Sequence, residues 1–123
     1  MTRAPRALGA ALAAALLAAP LAAQEVTQGT GGVLRVLDKN NGTTFDIELR
    51  NGEEQQVGFL AIRLGECRYP TDNPSGDAFT WLTISYQGVT EPVFRGWMIA
   101  SNPAVSAMQH PRYDVWALRC ITS

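Results

Sequence analysis

The sequence predicts an all-β domain: an antiparallel β-sandwich or small barrel of about six or seven strands, with one short helix before the last strand. Three observations predict this fold. Short runs rich in β-branched and aromatic residues recur from residue 33 onward, separated by turn sequences at hairpin spacing. The run "TTFDIELR" (43–50) alternates between apolar and polar residues, as a half-buried strand does. Only the segment "SNPAVSAMQHP" (101–111) breaks the rhythm.

The N-terminal segment 1–23 has the pattern of a secretory signal peptide. Arg3 and Arg6 precede an apolar run at 7–17, and small residues lead up to Ala23. A basic start, a short apolar run and a small-residue exit are typical of a cleaved export signal. The apolar run is also too short for a membrane span, which requires about 20 residues. We expect cleavage after Ala23, and no transmembrane segment in the mature chain.

Removal of this segment limits what the mature chain can be. It takes two of the ten basic residues and leaves 8 basic against 11 acidic residues, a net charge of −3. No basic patch remains, so nucleic acid is not an expected partner. Residues 24–32 are polar and glycine-rich, and we expect a flexible leader there. Residues 33–123 are long enough for a single β domain.

The predicted strands follow one another between recognisable turns. Asn41-Gly42 is a strong hairpin signal, and Asn51-Gly52 marks a second turn. Residues 55–68 form one bent strand or two strands, with Gly58 or Gly65 as a possible bulge. A proline- and aspartate-rich loop occupies 69–77. The expected strands are therefore 33–37, 43–50, 55–68, 78–86, 92–101 and 113–120.

The segment before the last strand has helix signals. Ser101 or Asn102 can cap a helix N-terminus, and Pro103 suits the first helical position. Pro111 would end the helix. We therefore predict a short helix over about 103–109 that covers an open end of the sheet.

Cys67 and Cys120 are the two cysteines of the chain. An even cysteine count together with an export signal favours a structural disulfide. Their spacing fits neither a CxxC redox motif nor a zinc site, so we predict that they pair. The disulfide would close a loop over residues 67–120, which stabilises the fold by about 4 kcal/mol in the chain-entropy model.

Three blocks of the sequence resemble the domain-of-unknown-function family 2155. They are "GGVLRVLDKNNGTTFDIEL", "CRYPTDNPSGDAFTWLTI" and "FRGWMIASNPAVSAMQHPRYDVWALRC", and together they cover roughly 33–120. The family pattern more often reads "ASSPALS" where this chain has Asn102 and Val105. The resemblance implies a small exported protein of Gram-negative bacteria, which places it in the periplasm. It implies no particular reaction.

The residues themselves give little support for catalysis. His110, Asp114 and a serine such as Ser101 or Ser106 are near in sequence, and a Ser-His-Asp set is defined by geometry. However, no nucleophile elbow is present, and we expect His110 to hydrogen-bond a backbone carbonyl at the corner before Pro111. The scattered carboxylates lack metal-ligand spacing. The sequence therefore predicts no catalytic residue, metal or cofactor.

Aromatic residues offer a better candidate for binding. We expect at least two of the tryptophans, Trp81, Trp97 and Trp116, to lie in the core. Trp97 shares a strand face with Arg95, which favours partial exposure of its ring. Arg68 and Arg112 can join it as anion-binding groups. The predicted binding residues are Trp97, Arg95, His110 and Arg112.

These observations favour a non-catalytic binding or structural module that acts on an envelope protein or a peptidoglycan-related partner. Two alternatives remain. One is a small periplasmic hydrolase that uses His110 and Asp114 with a serine, and the other is an inhibitor of an envelope enzyme.

Overall fold

The computed structural model describes residues 24–123, so the predicted signal peptide lies outside the described residues. Within this range the structure contains eight strands. They are β1 (Val26–Gln28), β2 (Gly31–Asp38), β3 (Thr43–Arg50), β4 (Glu54–Val57), β5 (Leu60–Pro70), β6 (Phe79–Tyr86), β7 (Phe94–Ile99) and β8 (Tyr113–Ile121). The all-β prediction is confirmed.

The strands form two antiparallel sheets. In the five-stranded sheet β5 lies at the centre, with β6 and then β7 on one side and both β1 and β4 on the other. In the three-stranded sheet β2 lies between β3 and β8. Two separate sheets correspond to the sandwich among the two predicted architectures.

Local sequence explains the first hairpin and the bent strand. Gly42 has a φ of 71°, which the turn between β2 and β3 requires, and β3 has the predicted bounds 43–50. The segment expected as one or two strands is two strands, because Gly58 turns the chain at a φ of 57°. The pairing of β5 with β6 shifts between Leu64 and Glu66, so Gly65 forms the expected bulge.

The core lies between the sheets and consists of the inward-facing members of each alternating strand. Leu34 and Val36 of β2 pack there with Leu60 and Ile62 of β5, all fully buried. Phe45 shares the inward parity of Ile47 and Leu49 but lies near the start of the edge strand β3, where it is 44% exposed. Alternation therefore predicts the face correctly, whereas the extent of the opposing sheet decides burial.

Cys67 of β5 and Cys120 of β8 form the predicted disulfide, which joins the two sheets. The glycine-rich segment beside it differs from the expected flexible leader, because residues 24–32 contain β1 and the first two residues of β2. The Gly29 N–H donates to the Cys67 carbonyl at 2.7 Å. A Cβ on Gly31 would collide with the Leu49 carbonyl oxygen. These glycines allow neighbouring backbone segments to pack closely and do not make the segment flexible.

The predicted helix over 103–109 is wrong. Residues 103–106 form turns, and no helix occurs between residues 24 and 123. This crossover (residues 100–112) must carry the chain from β7 in one sheet to β8 in the other and must place Met108 in the core. A short helix covers only about 1.5 Å per residue and has a costly nucleus, so an extended path with isolated turns spans the gap better.

Candidate functional site

The outer face of the five-stranded sheet carries a cluster of apolar and aromatic side chains. Its members come from neighbouring strands, because cross-strand neighbours share a face. Trp81 lies opposite Trp97, and Phe79 lies opposite both Ile99 and Arg68. We call this cluster the aromatic face and define it as Val26, Phe79, Trp81, Trp97 and Ile99.

The local sequence makes room for these rings. Thr80, Leu82 and Ile84 alternate with Phe79 and Trp81 and are fully buried, so the aromatic residues must point outward. The indole of Trp81 lies over Gly65, where an added Cβ would be 2.8 Å from the Trp81 ring. The bulge in β5 thus supports the position of an outward-facing tryptophan.

Trp97 contacts both an aromatic and a charged neighbour on the outer face. Its ring meets that of Trp81 edge-on, with centroids 5.4 Å apart. The Arg68 guanidinium lies over the Trp97 ring at 5.2 Å and pairs with Glu66 at 2.6 Å. The Arg68 guanidinium is therefore attracted both to the face of the indole and to the Glu66 carboxylate.

A shallow depression of about 390 Å³ lies on this face, between β1, β5, β6 and β7. Val26, Arg68, Phe79, Trp97 and Ile99 line it. It is almost entirely apolar, with the guanidinium of Arg68 as its charged group. Such a surface suits an apolar or aromatic group that carries a nearby negative charge.

Arg95 lies on the same outward side of β7 as Trp97, opposite Thr83, and is exposed. The structure therefore places Trp97, Arg95 and Arg68 on one face, in the arrangement expected from the sequence.

His110 and Arg112 lie in a different place. They belong to a group that closes one end of the sandwich. We call it the closing cluster and define it as Asp38, Phe59, Tyr86, His110, Arg112 and Tyr113. The guanidinium of Arg112 lies 5.1 Å from the ring centroids of both Phe59 and Tyr113. The four predicted binding residues thus divide into two pairs, because the crossover carries the chain away from the outer face.

A two-point ion pair holds Arg112 in the closing cluster. Its Nε and Nη2 donate to the two carboxylate oxygens of Asp38 at 3.2 and 3.0 Å. The hydrogen bond from Arg112 holds the pKa of Asp38 below its ordinary value, and the Asn40 N–H acts in the same direction. This geometry engages both carboxylate oxygens of Asp38 and connects the end of β2 to the residue before β8.

His110 fixes the corner, but not through the expected bond to a carbonyl. Its Nδ1 accepts hydrogen bonds from the backbone N–H groups of Arg112 and Tyr113 at 3.1 and 3.2 Å. Its ring packs against Tyr86, with centroids 4.7 Å apart. The imidazole thereby caps the start of β8 and holds the end of the crossover against β6.

The groups of the hydrolase alternative are engaged separately. The Ser101 Oγ donates to Asp77 at 2.6 Å, and Asp114 pairs with Lys39 at 3.4 Å. Within residues 24–123, no hydrogen bond connects His110 to a serine or to Asp114. In the same range no three His, Cys, Asp or Glu side chains are grouped as metal ligands.

Asp77 connects the loop after β5 to the crossover. Its carboxylate accepts from the N–H groups of Ala78 and Ser101, both at 2.9 Å, and from the Ser101 hydroxyl. Burial by itself would raise the pKa of Asp77, but these hydrogen bonds outweigh it and the pKa is lowered. Ser101 is therefore a structural partner of Asp77.

The expectation that at least two tryptophans lie in the core is wrong. Trp81, Trp97 and Trp116 are all half-buried on outer faces, and Tyr113 is the large aromatic residue of the core at 1% exposure. Sequence reasoning also missed Phe79, Ile99 and Val26 as members of the site. The alternation in 79–86 was the available signal, because Leu82 and Ile84 identify the buried side and assign Phe79 and Trp81 to the other.

The fold and site together define a class: a small two-sheet β protein, closed by one disulfide, with an aromatic outer face. The model of the family described as "Uncharacterized protein conserved in bacteria (DUF2155)" matches residues 32–120. The chain belongs to this family, and the resemblance found in its sequence is confirmed.

A curated relative is the "Uncharacterized protein RP359" of Rickettsia prowazekii (strain Madrid E). The two chains are 32% identical over 94 residues, which cover 74% of this chain and 61% of the relative. The match thus covers less than two thirds of the relative's length. No solved structure matches the chain. The described residues contain no helix with the length and apolar character to cross a membrane.

Proposed function

We propose that this protein is an exported, non-catalytic binding module of the periplasm that uses the aromatic face to hold an envelope protein or cell-wall partner. The observation that carries the proposal is the depression beside Trp97, with the Arg68 guanidinium at 5.2 Å from its ring. Aromatic anchors with an arginine are the residue types that dominate binding energy at protein interfaces.

The energetics of the aromatic face support a binding role. A sheet that packs one face on the core commonly solvates the other with polar side chains. Here neighbouring apolar and aromatic residues stand on the solvent side, and Val26 is 41% exposed. A contiguous apolar patch of this kind is typical of an interaction site. It exposes surface whose burial by a partner is favourable.

Export and periplasmic location rest on the sequence of residues 1–23, and the Cys67–Cys120 disulfide is compatible with them. Fractionation of cells that produce the full chain tests this part. We expect the mature protein in the osmotic-shock fraction, with Gln24 as its first residue. A chain that keeps residues 1–23 and stays in the cytoplasm contradicts the proposal.

Binding is tested with two separate partners. Purified peptidoglycan sacculi are mixed with the mature protein and sedimented, and intact cells are treated with a short crosslinker before affinity recovery. We expect one of the two assays to retain the wild-type protein, and Trp97→Ala to lose that retention. The matched control is Trp116→Ala, which removes a half-buried tryptophan from the other sheet. Equal retention of wild type and Trp97→Ala would refute the aromatic face as the binding surface.

A further inference from the structure

We infer that the partner is an extended peptide segment that adds as a strand to the free edge of β7, with an acidic side chain at Arg95 and apolar side chains at Trp97 and Ile99. The inference rests on the proposed function and names the chemistry of its partner. Three features of β7 carry it: its unpaired backbone, its charge and its outward side chains.

The first feature is the backbone of β7. Ala78 and Ala100 are the facing pair next to Phe79 and Ile99, at the end of the β6–β7 pairing. The Ala100 N–H donates to the Ala78 carbonyl at 2.9 Å, so this is a hydrogen-bonded pair. In antiparallel pairs hydrogen-bonded and non-bonded positions alternate, so Met98 and Gly96 bond to β6. Arg95 and Trp97 then direct their N–H and C=O groups to the outside. β7 is the last strand of its sheet, and no described residue bonds to these groups.

The second feature is charge. Cross-strand register places Arg63, Arg68 and Arg95 on the outer face, with Glu54 and Glu66 as the acidic residues beside them. Glu66 is already paired with Arg68, and Arg95 forms no ion pair with any residue from 24 to 123. The outer face thus carries three arginines against two glutamates, and the charge at the β7 edge itself is that of Arg95. An acidic side chain in the added strand complements it.

The third feature is side-chain parity. A strand paired to β7 projects every second side chain onto the outer face, where Arg95, Trp97 and Ile99 already point. Its apolar side chains then continue the aromatic face next to Trp97. Main-chain bonds supply affinity and the alternate side chains supply selectivity, as in other cases of strand addition.

The probe follows from this register. An antiparallel strand needs its side chains in the order apolar, apolar, acidic opposite Ile99, Trp97 and Arg95, so we choose an end-capped peptide with the core Val-Thr-Leu-Thr-Asp. We expect it to quench or shift the tryptophan fluorescence of the mature protein and to protect the Arg95 and Trp97 amides from hydrogen exchange. The leucine amide would bond to the Trp97 carbonyl.

An N-methyl-leucine version keeps every side chain but removes that donor. We expect it to bind about tenfold more weakly or worse. Arg95→Glu should weaken the unmodified peptide similarly, whereas Arg119→Glu, the same charge change on an exposed arginine of β8, should not. Equal binding of the methylated peptide refutes strand addition.

The failures of the two proposals are distinguishable. In one outcome the peptide does not bind at millimolar concentration, but Trp97→Ala still abolishes binding to sacculi or to a crosslinked partner. The inference is then wrong, and the aromatic face remains the binding surface. Binding of peptide-free glycan strands in place of the peptide overturns the inference in the same way. If Trp97→Ala changes nothing in any assay, the proposed function fails first.

Discussion

At the level of single residues, parity along the strands places a tyrosine in the core and the tryptophans on the outer faces. Tyr113 fills the core end of β8 because its hydroxyl has a partner there: it accepts a hydrogen bond from the Phe59 N–H at 3.3 Å. Trp81 and Trp97 have outward parity and cannot reach the core without reversing β6 and β7. The alternation of buried aliphatic residues therefore commits both indoles to the surface.

Gly31 tests whether the glycines before β2 are structural. Gly31→Ala would force a Cβ against the Leu49 carbonyl oxygen, a backbone atom of β3 that has no free rotation to yield. We expect a loss of about 2–3 kcal/mol in the free energy of unfolding, the range of overpacked sites, measured by urea denaturation. Gly96→Ala is the control, since its added Cβ meets the Phe94 ring at 3.6 Å, an ordinary contact. Equal stability of Gly31→Ala and wild type would contradict close backbone packing at Gly31.

Asp77 predicts how stability depends on pH. Its folded pKa is lowered, so the unfolded state binds more protons as the pH falls and the folded state loses its advantage. The contribution is complete above the ordinary carboxyl pKa of about 4 and disappears as the pH falls through the lowered folded value. The pKa values of Asp38 and Asp46 are lowered by the hydrogen bonds from Arg112 and Arg35 and act in the same direction.

Urea midpoints measured from pH 7 down to pH 3 check this dependence. We expect Asp77→Asn to lower stability near pH 7 by about 1 kcal/mol and to make the decline toward low pH shallower. Asp72→Asn, in the same loop, is the control because no described residue donates a hydrogen bond to its side chain. A parallel decline in Asp77→Asn and wild type would show that Asp77 contributes nothing to it.

At the level of elements, the sequence predicts strands better than it predicts the crossover. β3 is predicted to the residue because one face is buried and the other solvated, which alternation expresses directly. The crossover carries Pro103, Ala104 and Ala107, which favour a helix locally. The distance between the sheets and the burial of Met108 override that preference, and neither is visible in a local pattern.

The same limit applies to the candidate site. Trp97, Arg95 and Arg68 come together because sheet register connects neighbouring strands, which local alternation anticipates. His110 and Arg112 are close to Trp97 in sequence but lie at the far end of the crossover, beside the start of β8 in the other sheet. Sequence proximity therefore suggested one site where the fold makes two separate groups.

Replacement of Met108 tests how much the packing of the crossover against the core contributes to stability. It is 5% exposed and packs in the main core, although it lies outside any strand. We expect Met108→Ala to cost about 2–3 kcal/mol, at the lower end for large-to-small core changes. Val105→Ala, at a position 65% exposed in the same segment, should change stability by less than about 0.5 kcal/mol. Thermal unfolding by circular dichroism gives both values, and similar melting temperatures for the two variants would contradict a core role for Met108.

At the level of the whole molecule, the two sheets are joined at both ends of the sandwich. Cys67 and Cys120 are buried with Ala78 in a second, smaller cluster, apart from the main core. The Thr30 N–H donates to the Ile121 carbonyl at 2.8 Å, so β1, β2, β5 and β8 all meet at this end. The closing cluster joins the sheets at the opposite end, where the Tyr113 hydroxyl accepts from the Phe59 N–H and the His110 ring packs against Tyr86. These links support a core that is small, as the core of any domain of this length must be.

The disulfide therefore determines where the protein can be stable. The loop that it closes joins cysteines 53 residues apart, and its removal should cost about 2–5 kcal/mol of a total that is about 5–15 kcal/mol for a domain. We expect the Cys67→Ser/Cys120→Ser double variant, and the reduced wild type, to melt well below the oxidised protein in calorimetry. The double variant separates loss of the bond from side reactions of free thiols, and Ala78→Gly in the same cluster tests packing without the bond. Equal melting temperatures of the oxidised and reduced protein would contradict a stabilising role for the disulfide. With the expected difference, the same chain in a reducing compartment would lose much of its stability.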